Sequence, residues 1–259
     1  MSSSRSSRVA RRGLLAAFAF SIVAAAAPAG AFAANPDVLI DYPTFSGAST
    51  NLDRNGTADL LTSSGPTRQC VLRLTAGGYR QAGSAWSTQK IDLTESFESI
   101  FKVYLHHGAP GADGIAFLVQ TQGPRALGGW GGGLGYRGIR QSVAVEFDTF
   151  QNTPDPNSNH LAVVLAGNPD HHAAVGNPSI PLFGQPFLAR VAYSAPGTEL
   201  RVYVKSLQAG ATEQLVLDHT VDLAAEAGAS AAWVGFTGAT GSALSKQDIY
   251  SWTVLGSGA

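Results

Sequence analysis

Between residues 70 and 254 this chain repeats one pattern, a run of apolar and β-forming side chains followed by a turn. Such runs lie at 70–74, 97–105, 114–120, 142–150, 160–165, 186–193, 199–205, 214–221, 231–236 and 248–254. Asn55-Gly56, Ala76-Gly77-Gly78, Pro196-Gly197 and Ala209-Gly210 punctuate them with residues that form tight turns. Residues 223–229 alone read as helical, for one or two turns. Many short strands at regular spacing cannot bury their apolar faces singly, so the pattern predicts an all-β sandwich or barrel.

The first 33 residues are excluded from that fold. Arg5, Arg8, Arg11 and Arg12 make a basic start, residues 13–27 are almost wholly apolar, and Ala31-Phe32-Ala33 fits a small-x-small cleavage site. The apolar run is too short and too rich in small residues for a membrane span. This reads as a signal peptide over 1–33 and a secreted mature chain over 34–259 with no membrane insertion. Export is expected by the Sec route, with the Arg11-Arg12 pair leaving the twin-arginine route open. The remainder suits one large domain. Seventeen basic against eighteen acidic residues leave no electrostatic case for nucleic acid or an anionic membrane. Cys70 is the single cysteine, so no internal disulfide can form, and a large sandwich core does not need one. It reads as a buried strand residue, with cross-linking of a dimer as the lesser alternative.

The run Val143-Ala-Val-Glu-Phe-Asp-Thr-Phe-Gln-Asn-Thr-Pro-Asp-Pro-Asn-Ser-Asn-His160 carries the most chemistry. Strand side chains alternate, so Glu146 and Asp148 point to the same face. Two buried like charges side by side repel and raise one another's pKa, a conflict that a bound cation removes. Asn152, Asp155 and His160 lie in the Asn/Asp/Pro-rich loop that follows and can fold back to complete a shell. The ligand mixture suggests two ions. Calcium takes carboxylate, amide and carbonyl oxygens, whereas an imidazole suits a transition metal. Glu146 and His160 at one end, and Asn152 and the Phe150 carbonyl at the other, leave Asp148 and Asp155 to bridge. The plain alternative is a solvated strand edge followed by an ordinary turn. An EF-hand does not fit, because its Asp-x-Asp/Asn-x-Asp/Asn-Gly run is missing.

This string resembles the metal-binding loop of the legume-type (L-type) lectins. The resemblance implies calcium at Asp148, the Phe150 carbonyl, Asn152 and Asp155, and manganese or a similar transition metal at Glu146, Asp148, Asp155 and His160. Three further segments carry it. Ala112-Asp-Gly-Ile-Ala-Phe117 matches a stretch whose Asp accepts hydrogen bonds from two sugar hydroxyls and follows a cis peptide bond, which implies that role for Asp113. Gly128-Gly-Trp-Gly-Gly-Gly-Leu-Gly-Tyr136 matches a glycine loop that donates one backbone N–H, here placed at Gly132. Gly235-Phe-Thr-Gly-Ala-Thr-Gly241 and Asp248-Ile-Tyr-Ser-Trp252 match the family's C-terminal strings and bracket a short variable loop containing Ser242 and Ala243. The resemblance spans residues 37–255 and implies a concanavalin-like jelly-roll β-sandwich with a flat back sheet and a curved front sheet. It implies a shallow monosaccharide site where Asp113 accepts, Gly132 and Asn152 donate, Phe150 packs on the pyranose, and Ser242 and Ala243 line the rim. Glycans or glycoconjugates are the expected partners, and a homodimer through the back sheet would supply multivalency.

Two departures from the family stand out. Residues 161–168 lack the serine that usually holds a metal-bound water, which implies a weaker transition-metal site. His106-His107 and His171-His172 have no family counterpart and read as inert surface pairs. Two other functions compete. Laminarinase-type glycoside hydrolases place Glu-x-Asp-x-x-Glu on a strand of a similar sandwich, but here Gln151 occupies the third position, and retaining hydrolysis needs both carboxylates. No enzymatic activity is therefore expected. An adhesive or structural module with a vestigial sugar site is opposed by the joint presence of Asp113, Gly132 and Asn152.

Overall fold

The computed structural model describes residues 36–63 and 68–257; the expected signal peptide lies outside them. The described strands are, in chain order, β1 (Asp37–Tyr42), β2 (Leu52–Gly56), β3 (Asp59–Thr62), β4 (Cys70–Ala76) and β5 (Ala82–Asp92). There follow β6 (Phe97–His106), β7 (Gly114–Gln120), β8 (Ser142–Asp148), β9 (His160–Leu165) and β10 (His172–Gly176). The last five are β11 (Phe187–Ser194), β12 (Glu199–Ser206), β13 (Gln214–Thr220), β14 (Ala231–Ala239) and β15 (Lys246–Gly256), and the short helix α1 (Leu223–Ala227) precedes β14. They form two antiparallel sheets. The back sheet runs β13-β12-β11-β6-β15-β4-β3, with β1 also paired to β15. The front sheet runs β10-β9-β8-β7-β14-β5-β2. The expected all-β sandwich is what the chain forms.

The strands read from the sequence all appear, within a few residues at their ends, and α1 is the expected short helix. The sequence reading missed β2, β3, β5 and β10. β5 (Ala-Gly-Ser-Ala-Trp-Ser-Thr-Gln-Lys-Ile-Asp) has few β-branched residues, and its conformation is imposed by pairing with β14 on one side and β2 on the other. β2 and β10 are polar or small-residue edge strands with weak patterns of their own. Cys70 opens β4 half-buried, packed against the core rather than wholly inside it.

Between the sheets, β6 and β15 contribute Phe101 and Trp252, which meet Phe117, Phe147 and Phe236 of β7, β8 and β14. Ring centroids lie 4.9 Å apart for Phe101–Phe236 and Phe236–Trp252, and 5.6 Å for Phe101–Phe147, in edge-to-face contact. The back-sheet strands β6 and β11 alternate buried and half-buried residues, as expected where one face meets water. β7 and β8 are buried at every position. The cause is a second apolar cluster on the outer face of the front sheet. There Ala116, Leu118, Ala144, Ala162 and Val164 are covered by Ala126, Leu134, Tyr136 and Ile139 of the glycine-rich segment. That cover makes the outer face of the front sheet a place where charged groups can be enclosed.

Candidate metal centre and adjoining cleft

Glu146 and Asp148 lie on the outer face of β8 and are each 1% exposed. Their inward neighbours Val143, Val145 and Phe147 enter the main core. Asp148 stands directly opposite His160 on β9, and Glu146 stands between Ala116 and Ala162. Those alanines leave room above the sheet. The loop from 149 to 159 then folds back. The Phe150 N–H donates to Asp148 Oδ1 at 2.7 Å, and the Asn152 N–H donates to Asp155 Oδ2 at 2.6 Å. Asp155 Oδ1 lies 3.8 Å from His160 Nε2. Asp148, Asp155 and His160 thus each present one ligand atom within 4.8 Å of the others, and so do Glu146, His160 and His172.

The electrostatics of this cluster fit a divalent cation. Burial pushes the Glu146 carboxyl up to about 8, helped by Asp155 and opposed by a hydrogen bond from Tyr136. Burial, followed by the charge of Glu146, drives Asp148 well above the carboxylate range. Burial lowers His160, favouring neutral imidazole. His160 Nδ1 lies 2.9 Å from the Asn157 carbonyl, so Nδ1 carries the proton and Nε2 is left with a lone pair. That Nε2 is buried and has no hydrogen-bond partner. Enclosed acids that repel one another and an orphaned imidazole nitrogen are the donor set that a metal satisfies.

A cavity of about 270 Å³ opens beside the cluster, with Trp130, Gly132, Asn152 and Asp155 among its lining residues. Gly132 faces Asn152 so closely that a Cβ there would lie 2.5 Å from Asn152 Oδ1, so any larger residue would have to displace the Asn152 side chain or the loop. The Ala112-Asp113 peptide bond is cis. Asp113 is 3% exposed; its N–H donates to the Ala239 carbonyl at 2.9 Å, and its Oδ2 is buried without a partner. Burial, then the charge of Asp155, raises its carboxyl to about 7. Gly241 packs against Asp113 and Gly131, and its N–H donates to the Ala243 carbonyl at 3.3 Å. Ser242 is exposed and Ala243 half-buried on this loop. Ser245 Oγ donates to the Ala112 carbonyl at 2.7 Å. Asp113, Gly132, Asn152 and the 241–243 loop therefore gather at one end of the front sheet. Phe150 is half-buried and lines a neighbouring depression with Phe183, Pro181 and the 108–111 turn.

The reading of both histidine pairs as inert is corrected here. His172 is mostly enclosed, with Nε2 3.6 Å from both Glu146 Oε2 and Asp155 Oδ1. His106 Nε2 lies 3.0 Å from Asp248 Oδ2 on the back sheet, where Asp248 also accepts two bonds of 2.7 Å from Arg73. Sequence distance hid both contacts, because each is made across a strand pairing. Tyr136 was also missed as a site residue: its hydroxyl donates to Glu146 Oε1 in a very short contact. The aromatic inside a glycine-rich run was the available signal.

The Legume lectin beta-barrel domain model matches residues 44–252. Among curated proteins, a Serine-rich adhesin for platelets from Staphylococcus aureus is 30% identical over 156 residues, which is 58% of this chain and 6% of the adhesin. A Probable L-type lectin-domain containing receptor kinase I.2 from Arabidopsis thaliana is 27% identical over 210 residues, 71% of this chain and 31% of the kinase. The chain thus spans a small part of the length of these relatives. The solved lectin from Bauhinia forficata in complex with GalNAc superimposes with a TM-score of 0.70 at 25% identity, covering 86% of this chain and 98% of that one. Winged bean acidic lectin complexed with methyl-α-D-galactose gives 0.70 at 26%, covering 86% and 99%. The match covers the metal loop, the glycine-rich segment and both C-terminal strings, and the sandwich carrying them is that of the matched lectins, so this chain belongs to the legume lectin β-barrel domain family.

Proposed function

We propose that this chain is a secreted, metal-dependent lectin that binds a monosaccharide unit of a glycan at the end of its front sheet. Family and fold support carbohydrate binding and suggest a non-enzyme. The observation that carries the finer reading is the convergence of Asp113, Gly132 and Asn152 beside the cluster of Asp148, Asp155 and His160. In this reading calcium is held by Asp148, the Phe150 carbonyl, Asn152 and Asp155. A transition metal is held by Glu146, Asp148, Asp155 and His160. The ions supply positive charge that ionises the buried acids and locks the loop. Asp113 then accepts from sugar hydroxyls, the Gly132 N–H and the Asn152 amide donate, Phe150 offers its ring, and Ser242 and Ala243 border the pocket. Sugars are uncharged and strongly hydrated, so directional groups fixed in advance matter more than buried area.

A single shallow site of this kind binds a monosaccharide on the order of millimolar, and useful strength comes from several sites acting together. A homodimer would supply them, and sedimentation of the metal-loaded chain tests for one. Two similar solved lectins are complexed with GalNAc and methyl-α-D-galactose, which makes galactosides the first probes. The test is a glycan array with calcium and manganese present. Binding that vanishes in chelator and returns with both ions is expected, without release of reducing sugar. Binding indifferent to chelator would overturn metal dependence, and sugar-independent capture by a protein partner would favour the adhesive reading that the similarity to a bacterial adhesin suggests.

A further inference from the structure

We infer that His172 is a direct ligand of the transition metal, giving this site two imidazoles where the two-ion reading above assigns one. The inference rests on that reading and changes the donor set. His172 opens β10 opposite Val164, and the pairing of β10 with β9 slips between His172 and Ala174. A bulge of this kind re-aims the side chain at its start. The ring turns in over the outer face of β9, 5.6 Å from the ring of His160 by centroid. Its Nε2 stands 3.6 Å from Glu146 Oε2 and 3.6 Å from Asp155 Oδ1, while His160 Nε2 stands 3.8 Å from the same Asp155 oxygen. Ligand atoms about 2.1 Å from a shared metal are separated by roughly 3 to 4.2 Å, so these distances suit one ion.

The remaining atoms of the same groups are already engaged elsewhere. Glu146 Oε1 takes the Tyr136 hydroxyl, Asp155 Oδ2 takes the Asn152 N–H, and His160 Nδ1 faces the Asn157 carbonyl. Each residue therefore turns one free donor toward a common point, and the orphaned, fully buried His160 Nε2 marks it. The turn that delivers His172 is tied down by Arg137, which donates two hydrogen bonds to Asp170 at 2.6 and 2.8 Å. The serine expected to hold a metal-bound water is absent from residues 161–168, and His172 replaces that water with a direct nitrogen donor. Two imidazoles beside the three carboxylates favour zinc, cobalt or nickel over manganese more strongly than one imidazole does. The site is thus stronger than the missing serine implied.

The test uses the purified chain loaded with calcium, then titrated with zinc. X-ray absorption fine structure of the bound zinc counts imidazoles directly; two are expected in the wild type and one in His172→Ser. Competition calorimetry should show zinc affinity falling by about 10- to 100-fold in His172→Ser. The exposed neighbour provides a control, with His171→Ser leaving both readouts unchanged. Calcium affinity should stay the same in both variants, which also reports that they fold. One imidazole in the wild type, or equal zinc affinity in wild type and His172→Ser, overturns the inference while leaving the two-ion reading intact. A calcium-loaded wild type that takes up no zinc, cobalt or manganese overturns that reading itself.

Discussion

In the proposed reading, recognition in the cleft rests on a few individual side chains. Asp113 is enclosed, carries an unpartnered Oδ2 and is assigned to neither proposed ion, so its removal tests sugar recognition apart from metal binding. Hydrogen bonds to a charged acceptor contribute about 1.5–3 kcal/mol each. Asp113→Ala should therefore take monosaccharide binding below detection by calorimetry, while zinc and calcium titrations are unchanged. Gly132→Ala acts differently. Its new Cβ would fall 2.5 Å from Asn152 Oδ1, so either the glycine loop or Asn152 must move. We expect at least about a tenfold loss of sugar affinity, equivalent to about 1.4 kcal/mol, with a smaller loss of calcium affinity because Asn152 is proposed to serve both. Unchanged sugar affinity in Gly132→Ala would refute the donor assignment.

At the level of strands, the two sheets use charge in opposite ways. On the back sheet, β4, β6 and β15 bring Arg73, His106 and Asp248 into a satisfied cluster. Burial alone would raise Asp248, but hydrogen bonds from Arg73 and His106 outweigh it and hold the carboxyl below its usual value. Removing one partner of an enclosed pair leaves the other unpaired, and the Arg73 side chain is only 14% exposed. Asp248→Ala should lower unfolding free energy by about 2–4 kcal/mol in urea titrations, without altering zinc stoichiometry. The sign of the pH effect follows from the lowered pKa. The stabilisation is complete above the unfolded value of about 3.9 and is lost as pH falls through the lower folded value. The stability gap between wild type and Asp248→Asn should therefore close below about pH 4. On the front sheet, β8, β9 and the loop between them hold enclosed acids whose nearest basic side chains among the described residues are His160 and His172.

For the whole molecule, that imbalance ties stability to pH and, in the proposed reading, to the bound ions. Glu146 is raised to about 8, Asp113 to about 7, and Asp148 rises as well. An acid whose folded pKa exceeds its unfolded one binds more protons folded than unfolded, so stability is present at low pH and falls as pH rises through the folded value. Chelated protein should thus lose several degrees of melting temperature between pH 5 and pH 8, on the order expected for a few kcal/mol. Protein loaded with calcium and zinc should show no such fall. A chelated chain whose melting temperature rises over that range would contradict the clustered-acid account.

Much of this architecture is legible in the sequence. Strands β6, β7, β8, β11 and β12 announce themselves because each carries enough apolar or β-branched residues to specify its face alone. The common face of Glu146 and Asp148 follows from strand alternation, and the order of Asn152, Asp155 and His160 follows from covalent spacing. β5 and β10 were not legible, since their conformation comes from hydrogen bonds to partners far along the chain. His172 and Tyr136 were misplaced for the same reason. Cross-strand register and the closure of the glycine loop bring both against Glu146; an aromatic in a glycine-rich run was the only local trace of Tyr136's part, and His172 left none. The chain by itself determined which strands form and which acids share a face, because those depend on neighbours a few residues away. The tertiary structure alone decided which side chains enclose the acids, because burial and strand register are set by pairing across the whole molecule.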